Sequence, residues 1–435
     1  MEKYDALSLL DFLNESPCNF RAVDTICREL AANGFQELNL SDKWELTKGG
    51  KYFATKNGSA VFAFVVGESP ISESGFNIIA AHSDSPCFRI KPHPEMPGHG
   101  VVRLNTEVYG GPILYTWFDR PLSVAGRVML KNHRNPMQPI VRLVDFKEPM
   151  VIIPHLPIHF NRNVNDGNSL SKQKDMLPVA GIINEAVGQG GLLMEKLQSY
   201  LHLDSQDDIL DFDLFLYNTQ KAELVGFEKE FVCSGRIDDL GMAHAAMCAL
   251  LESSNPKVTK VMAVFDNEET GSGTKQGAAS PVFANILRRI CLSFGQTEED
   301  FYRSIANTFM ISADNAHAVH PNYPEKYDPT NHPVIGGGPV IKINANCKYM
   351  TDGYSSSVFM ELCRKAGVPC QFFVNHSDIA GGSTLGNILT SQIDINGVDM
   401  GNPIWAMHSA LETASIKDQE YTIKAFTEFF NTALH

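Results

Sequence analysis

Two glutamates stand side by side where an apolar run ends. The stretch 258–273, VTKVMAVFDNEETGSG, passes from Val261, Met262, Ala263, Val264 and Phe265 into Asp266, Glu268 and Glu269, then into a glycine-rich turn. Adjacent carboxylates repel each other and resist desolvation unless a cation or a proton joins them. The chemistry they invite is metal binding, and the same pattern recurs along the chain. His82 and Asp84 follow the apolar run 77–81, Asp238 stands in SGRIDDL, Asp314 in SADNAHA and His408 in AMHSALE. Imidazole nitrogen and carboxylate oxygen suit Zn²⁺, and Co²⁺ or Mn²⁺ can occupy such a site. A two-metal centre needs one bridging carboxylate, plus one imidazole and one acid for each ion. His82, Asp238, Glu269, Asp314 and His408 meet that requirement. Water activated by such a pair attacks an amide carbonyl. Glu268, beside a ligand but not needed as one, suits a general base, and Asp84 suits the other ring nitrogen of His82.

Blander readings compete with this one. A single histidine is usually a satisfied core or surface group. Consecutive glutamates are usually a solvated face, and an Asp pair ahead of a helix is ordinarily an N-cap. The candidates lie far apart in sequence, and the chain has no HExxH, which excludes the commonest arrangement of a zinc protease helix.

The elements that must position these residues are legible. Continuous apolar runs such as 60–66, 77–81 and 261–265 read as strands buried on both faces, typical of a parallel sheet. Residues at their carboxyl ends sit where open α/β sheets bind ligands. Helical periodicity marks 5–14, 19–33, 192–201, 281–293, 298–307, 354–366 and 417–434. Between about 97 and 230 the texture changes to short alternating segments, VVRLNTEVYG, LSVAGRVML, PIVRLVDF and MVIIPHLPIHF, punctuated by Gly and Pro. That reads as an antiparallel β insertion. The expected fold is therefore α/β, a mostly parallel sheet flanked by helices, formed by 1–96 plus 231–435 and interrupted by a β-rich domain at 97–230.

Composition narrows the function. Across 435 residues, Lys and Arg total 36 and Asp and Glu total 50, for a formal net charge of −14. That argues against nucleic acid or an anionic membrane as partner. No apolar run approaches the roughly 20 residues that cross a bilayer. The N-terminal MEKYDALSLLDFLNESP lacks the basic region and apolar core of a signal peptide. Nine scattered cysteines, odd in number and without CxxC spacing, fit a reducing cytoplasm.

Seven motifs, AHSDSP (81–86), SGRIDDL (234–240), FDNEETGSGT (265–274), SADNAHAVHPNY (312–323), GPVIKIN (338–344), GGSTLG (381–386) and AMHSALE (406–412), stand in an order that resembles the aspartyl aminopeptidase family of dinuclear zinc metallopeptidases, which includes the yeast vacuolar aminopeptidase. The likeness spans nearly the whole chain and looks closest to bacterial members. It implies hydrolytic removal of the first residue from peptides with a free N-terminus, by metal-activated water, with two Zn²⁺ per subunit. His82 and Asp314 would bind one zinc, Glu269 and His408 the other, with Asp238 between them. Glu268 would be the general base and Asp84 would orient His82. Lys342 and Tyr349 match positions that contact substrate near the scissile carbonyl. The insertion would mediate dimerisation and assembly of dimers into a tetrahedral dodecamer. A histidine from it, His159 in preference to His155, would reach a neighbouring subunit's site. Acidic and neutral N-terminal residues both fit the family. The rival readings are a related dinuclear carboxypeptidase or deacylase, and a non-catalytic assembly protein of the same fold.

Overall fold

The computed structural model describes residues 5–183 and 191–433. Leu434, where the expected last helix ends, lies outside them. The described chain forms two compact units. The first comprises Met1–Asp84, Ala222–Met407 and Glu412–His435, and the second Ser85–Lys221 and His408–Leu411.

The first unit is built on a nine-stranded sheet. Its order is Gln36–Glu37, Lys51–Lys56, Ala60–Val65, Thr259–Phe265, Phe76–His82, Phe309–Ala313, Asn396–Gly401, Val340–Ile343 and Gln371–Val374. The central pairings, from Thr259–Phe265 across to Asn396–Gly401, are all parallel. Ala60–Val65 and Val340–Ile343 flank them antiparallel. Period-two alternation explains why these strands are apolar throughout. Phe62, Ile78, Ala80, Val261, Ala263 and Phe265 pack on one face, while Val61, Ile79, Ala81, Met262, Val264 and Ile311 pack on the other. Helices supply both layers. Val282–Ser293 lies on the first face, and Asn19–Ala32, Ile237–Glu252 and Ile416–Asn431 on the second.

The second unit is a six-stranded antiparallel sheet in the order Ile140–Asp145, Leu122–Leu130, Ile209–Asn218, Cys87–Gly98, Val101–Tyr109, Val179–Ile182. Phe88, Trp117, Leu122, Val124, Leu193 and Leu214 form its core. The expected boundaries at 96/97 and 230/231 shift for a reason. Cys87–Gly98 pairs with Val101–Tyr109 and Ile209–Asn218 and so belongs to the β-rich unit. Glu223–Val225 pairs with Phe231–Ser234, which pairs with Glu412–Ser415 in the α/β unit. Hydrogen-bond partnership, which no local pattern encodes, decides the boundary.

Candidate metal centre

Register brings the chemistry together. Thr259–Phe265 runs parallel to Phe76–His82 with Phe265 opposite His82, so both strands end at the same level. Ser312 stands opposite Ala80 on the other side. Two residues further, Asp314 therefore draws level with His82. Three polar clusters from separate parts of the sequence, at 82–84, 266–269 and 314, leave the sheet along one carboxyl edge.

His82 is fully buried and held from two sides. Its backbone N–H donates to Asp239 Oδ2 at 3.1 Å, and its Nδ1 lies 3.0 Å from the Asp84 carbonyl oxygen and 3.3 Å from Asp84 Oδ1. A proton on Nδ1 satisfies those oxygens and leaves the Nε2 lone pair free to coordinate. Nε2 faces Asp238 Oδ1 at 3.8 Å and Glu268 Oε2 at 4.0 Å. Those spacings are too long for hydrogen bonds and suit ligands around a shared ion. Ligand atoms of His82, Asp238, Asp239 and Asp314 lie within 4.8 Å of one another, as do those of His82, Glu268 and Glu269.

Asp84 does more than orient His82. Its two carboxylate oxygens accept the backbone N–H groups of Glu268 and Glu269 at 3.1 and 3.2 Å. One buried carboxylate thus ties the histidine strand to the glutamate turn. Asp238 and Asp239 stand at a kink in the first turn of the Ile237–Glu252 helix, with non-helical backbone angles, and both are held by partners outside that helix. Asp238 donates its N–H to Glu412 Oε2 at 3.0 Å, and Asp239 Oδ1 accepts from Asn315 Nδ2 at 3.3 Å. Asp239, Asn315 and Glu412 were missed as site residues. Each lies inside a motif quoted above, but its partner is 76 to 174 residues away and leaves no local signal.

The electrostatics describe an overcrowded set of acids. Burial pushes the Glu268 carboxyl up to about 9, against the pull of His82, with Asp314 and Glu269 adding to the rise. Burial likewise raises Asp239 and Asp314. Burial alone would depress His82, but Asp239, Asp84 and Glu268 outweigh it and hold its pKa well above the usual range. With protein groups alone, the cluster takes its compensating charge from protons. A divalent cation supplies that charge without them, and the donor set, imidazole plus carboxylate, suits zinc.

Lys342 is buried on its strand with Nζ 3.4 Å from Asp314 Oδ1 and 5.7 Å from the centre of the Tyr349 ring. Burial opposes its charge, but Asp314, Tyr349 and Asp399 more than offset this and raise its pKa. Asp266 is buried and accepts from Asn19 Nδ2 at 3.0 Å, so it anchors the turn from behind. His408 lies in the short segment His408–Leu411 of the second unit, where its Nδ1 is 3.1 Å from the Gly111 carbonyl oxygen. In that same unit His159 is exposed in a turn. His155 instead packs edge-on against Phe118 with ring centres 4.5 Å apart.

The model of the aminopeptidase I zinc metalloprotease family (M18) matches residues 12–430. The chain belongs to this family. A probable M18 family aminopeptidase 2 of Clostridium novyi is 52% identical over 427 residues, covering 98% of this chain and 98% of that protein. Its counterpart in Clostridium acetobutylicum is 50% identical over the same span and coverage. Among solved structures, Ape4 in complex with Nbr1 matches with a TM-score of 0.94 at 36% identity, covering 98% of this chain and 85% of that one. The S. cerevisiae mApe1 dodecamer matches with a TM-score of 0.84 at 26% identity, covering 98% and 96%. This M18 protein is accordingly a zinc-dependent aminopeptidase. The carboxypeptidase, deacylase and non-catalytic readings are not favoured by these relatives. Among the described residues, no helix is long and apolar enough to cross a membrane.

Proposed function

We propose that this aminopeptidase holds two zinc ions per chain, His82 with Asp314 and Glu269 with His408, and that Asp238 bridges them. The observation that carries the reading is the gathering of His82, Asp238, Asp314 and the glutamate pair at one sheet edge, their side chains buried or half-buried. His408 takes its role from the family resemblance. Zinc, when bound, polarises the substrate carbonyl and lowers the pKa of water. The protein's own part is proton handling and alignment. Glu268 takes the proton of the attacking water and returns it to the leaving amine. Asp84 fixes both Nδ1 of His82 and the amides that aim Glu268 and Glu269. Lys342 and Tyr349 contact substrate beside the scissile carbonyl.

Lys342 is already engaged by Asp314, which favours neutral over acidic N-terminal side chains. Turnover of Asp, Glu, Leu and Lys p-nitroanilides tests this, with Leu expected to be fastest. Faster hydrolysis of the Asp substrate sinks it. N-acetylated substrates should be inert. Wild-type protein should carry two zinc ions per chain and Asp238→Ala neither. Two ions retained by that variant would remove Asp238 from the bridge.

The assembly follows the dodecameric relative, with twelve chains built from dimers and His159 of one subunit serving the site of another. Leu156, Ile158 and Phe160 flank His159 and are exposed on the β-rich unit, a cluster of the kind that protein interfaces cover. The cysteines are all free thiols, in keeping with work on peptides in the cytoplasm.

A further inference from the structure

Metal chemistry leaves the motif GGSTLG without a role. Its threonine leads to one buried acid. Asp399, on the Asn396–Gly401 strand, has no exposed surface. Its Oδ1 accepts the Thr384 hydroxyl at 2.6 Å, and its Oδ2 accepts the backbone N–H of Met350 at 2.6 Å. Its own N–H donates to Thr351 Oγ1 at 2.9 Å. Ser383 Oγ adds a longer bond, 3.4 Å, to the Lys348 carbonyl oxygen. A carboxylate that accepts from two separate chain segments is a strong, directional tie.

Packing around the tie is close. A Cβ on Gly386 would lie 2.7 Å from Met350 Sδ and 2.8 Å from Asp399 Oδ2. One on Gly397 would lie 2.5 Å from Met350 Cε. Met350 is thus seated between two glycines, with its amide pinned by Asp399. The residue before it is Tyr349, itself buried, with Lys342 Nζ near its ring and Asp314 beyond. The chain of contacts runs from Thr384 through Asp399 and Met350 to Tyr349, Lys342 and Asp314.

We propose that Asp399 and Thr384 are positioning residues for hydrolysis, a clamp that fixes the segment 348–351 so that Tyr349 meets the substrate beside Lys342. This rests on the reading of Tyr349 as a substrate contact given above. The clamp acts on alignment and not on metal binding, and that difference makes it testable.

Three variants of the full-length zinc enzyme are compared on Leu p-nitroanilide: Thr384→Val, Asp399→Asn and Tyr349→Phe, with the Thr384→Val/Tyr349→Phe double variant. Thr384→Val removes one donor at nearly constant shape and keeps the test alive should Asp399→Asn fold poorly. Each single variant is expected to lose about 10- to 100-fold in kcat/KM. The loss should fall mainly in kcat, with zinc content and thermal midpoint close to wild type. The double variant should lose little more than the worse single, because the two changes disable one contact. The clamp is overturned if Thr384→Val and Asp399→Asn stay within about twofold of wild type while Tyr349→Phe loses activity, an outcome that leaves the Tyr349 reading standing. It is equally overturned if the losses in the double variant add in full, or if activity falls only in step with zinc. Wild-type kcat/KM in Tyr349→Phe would remove the substrate contact and, with it, the clamp's purpose.

Discussion

The Asp84 carboxylate serves three groups at once: the His82 ring and the backbone N–H groups of Glu268 and Glu269. An amide in its place keeps the shape but presents N–H to donors. Asp84→Asn should therefore lower zinc affinity about 10- to 100-fold and misdirect the glutamate pair. Titration with a competing chelator reads the first effect, and unchanged affinity would confine Asp84 to a packing role. Glu268→Gln separates proton transfer from metal binding. It should lower kcat by about 10²- to 10⁴-fold with zinc content intact, and near-normal turnover in a clean preparation would strip Glu268 of its role as base. Residue types made both candidates visible in the sequence. Residues 81–86 cannot reveal that Asp84 receives amides 184 and 185 positions away.

Between elements, polar bolts matter as much as apolar faces. His244, on the Ile237–Glu252 helix, is buried between Ser8 Oγ of the Ser8–Glu15 helix at 2.8 Å and Gln419 Nε2 of the Ile416–Asn431 helix at 3.1 Å. Burial pushes its pKa down to about 3. The folded state refuses a proton that the unfolded chain accepts below about 6.5. Stability is therefore fully present above that pH and falls as pH drops toward 3, by up to about 1.4 kcal/mol per pH unit for this one group. His244→Gln should flatten the pH dependence of the denaturation midpoint between about pH 6 and 4. An unaltered slope would show that His244 is not the group responsible. Helical periodicity foretold the first and last of these helices, at 5–14 and 417–434, to within a few residues. It could not foretell that a histidine on one joins the other two, because a buried polar residue and a surface one look alike in sequence.

At the scale of the molecule, the acid cluster links zinc to folding. Zinc binds the folded site and not the unfolded chain, so chelation should lower the thermal midpoint and added zinc should restore it. A midpoint indifferent to chelator would mean that protons alone satisfy Asp238, Asp239 and Asp314. The exposed cluster Leu156, Ile158 and Phe160 makes a second prediction. Phe160 is 81% exposed, and placing a charge there should shift the native particle to smaller species without unfolding the chain. Native mass measurement of Phe160→Asp checks it, and an unchanged particle would move the interface elsewhere.

The sequence by itself determined where strands end and which residues stand at those ends, because a strand buried on both faces must be apolar and its exit need not be. It determined the α/β class and the presence of a β-rich insertion, since period-two and period-3.6 patterns are local. It also carried seven ordered motifs, and with them the family. Only the tertiary structure decided that Phe265 aligns with His82 and Asp314 comes level beside it, since register depends on partners hundreds of residues apart. It moved the unit boundaries to Asp84/Ser85 and Lys221/Ala222, and it found Asp239, Asn315, Glu412 and Asp399 behind the proposed ligands and substrate contacts. Those residues act through long-range hydrogen bonds, and a hydrogen bond between distant residues has no periodicity by which a sequence could announce it.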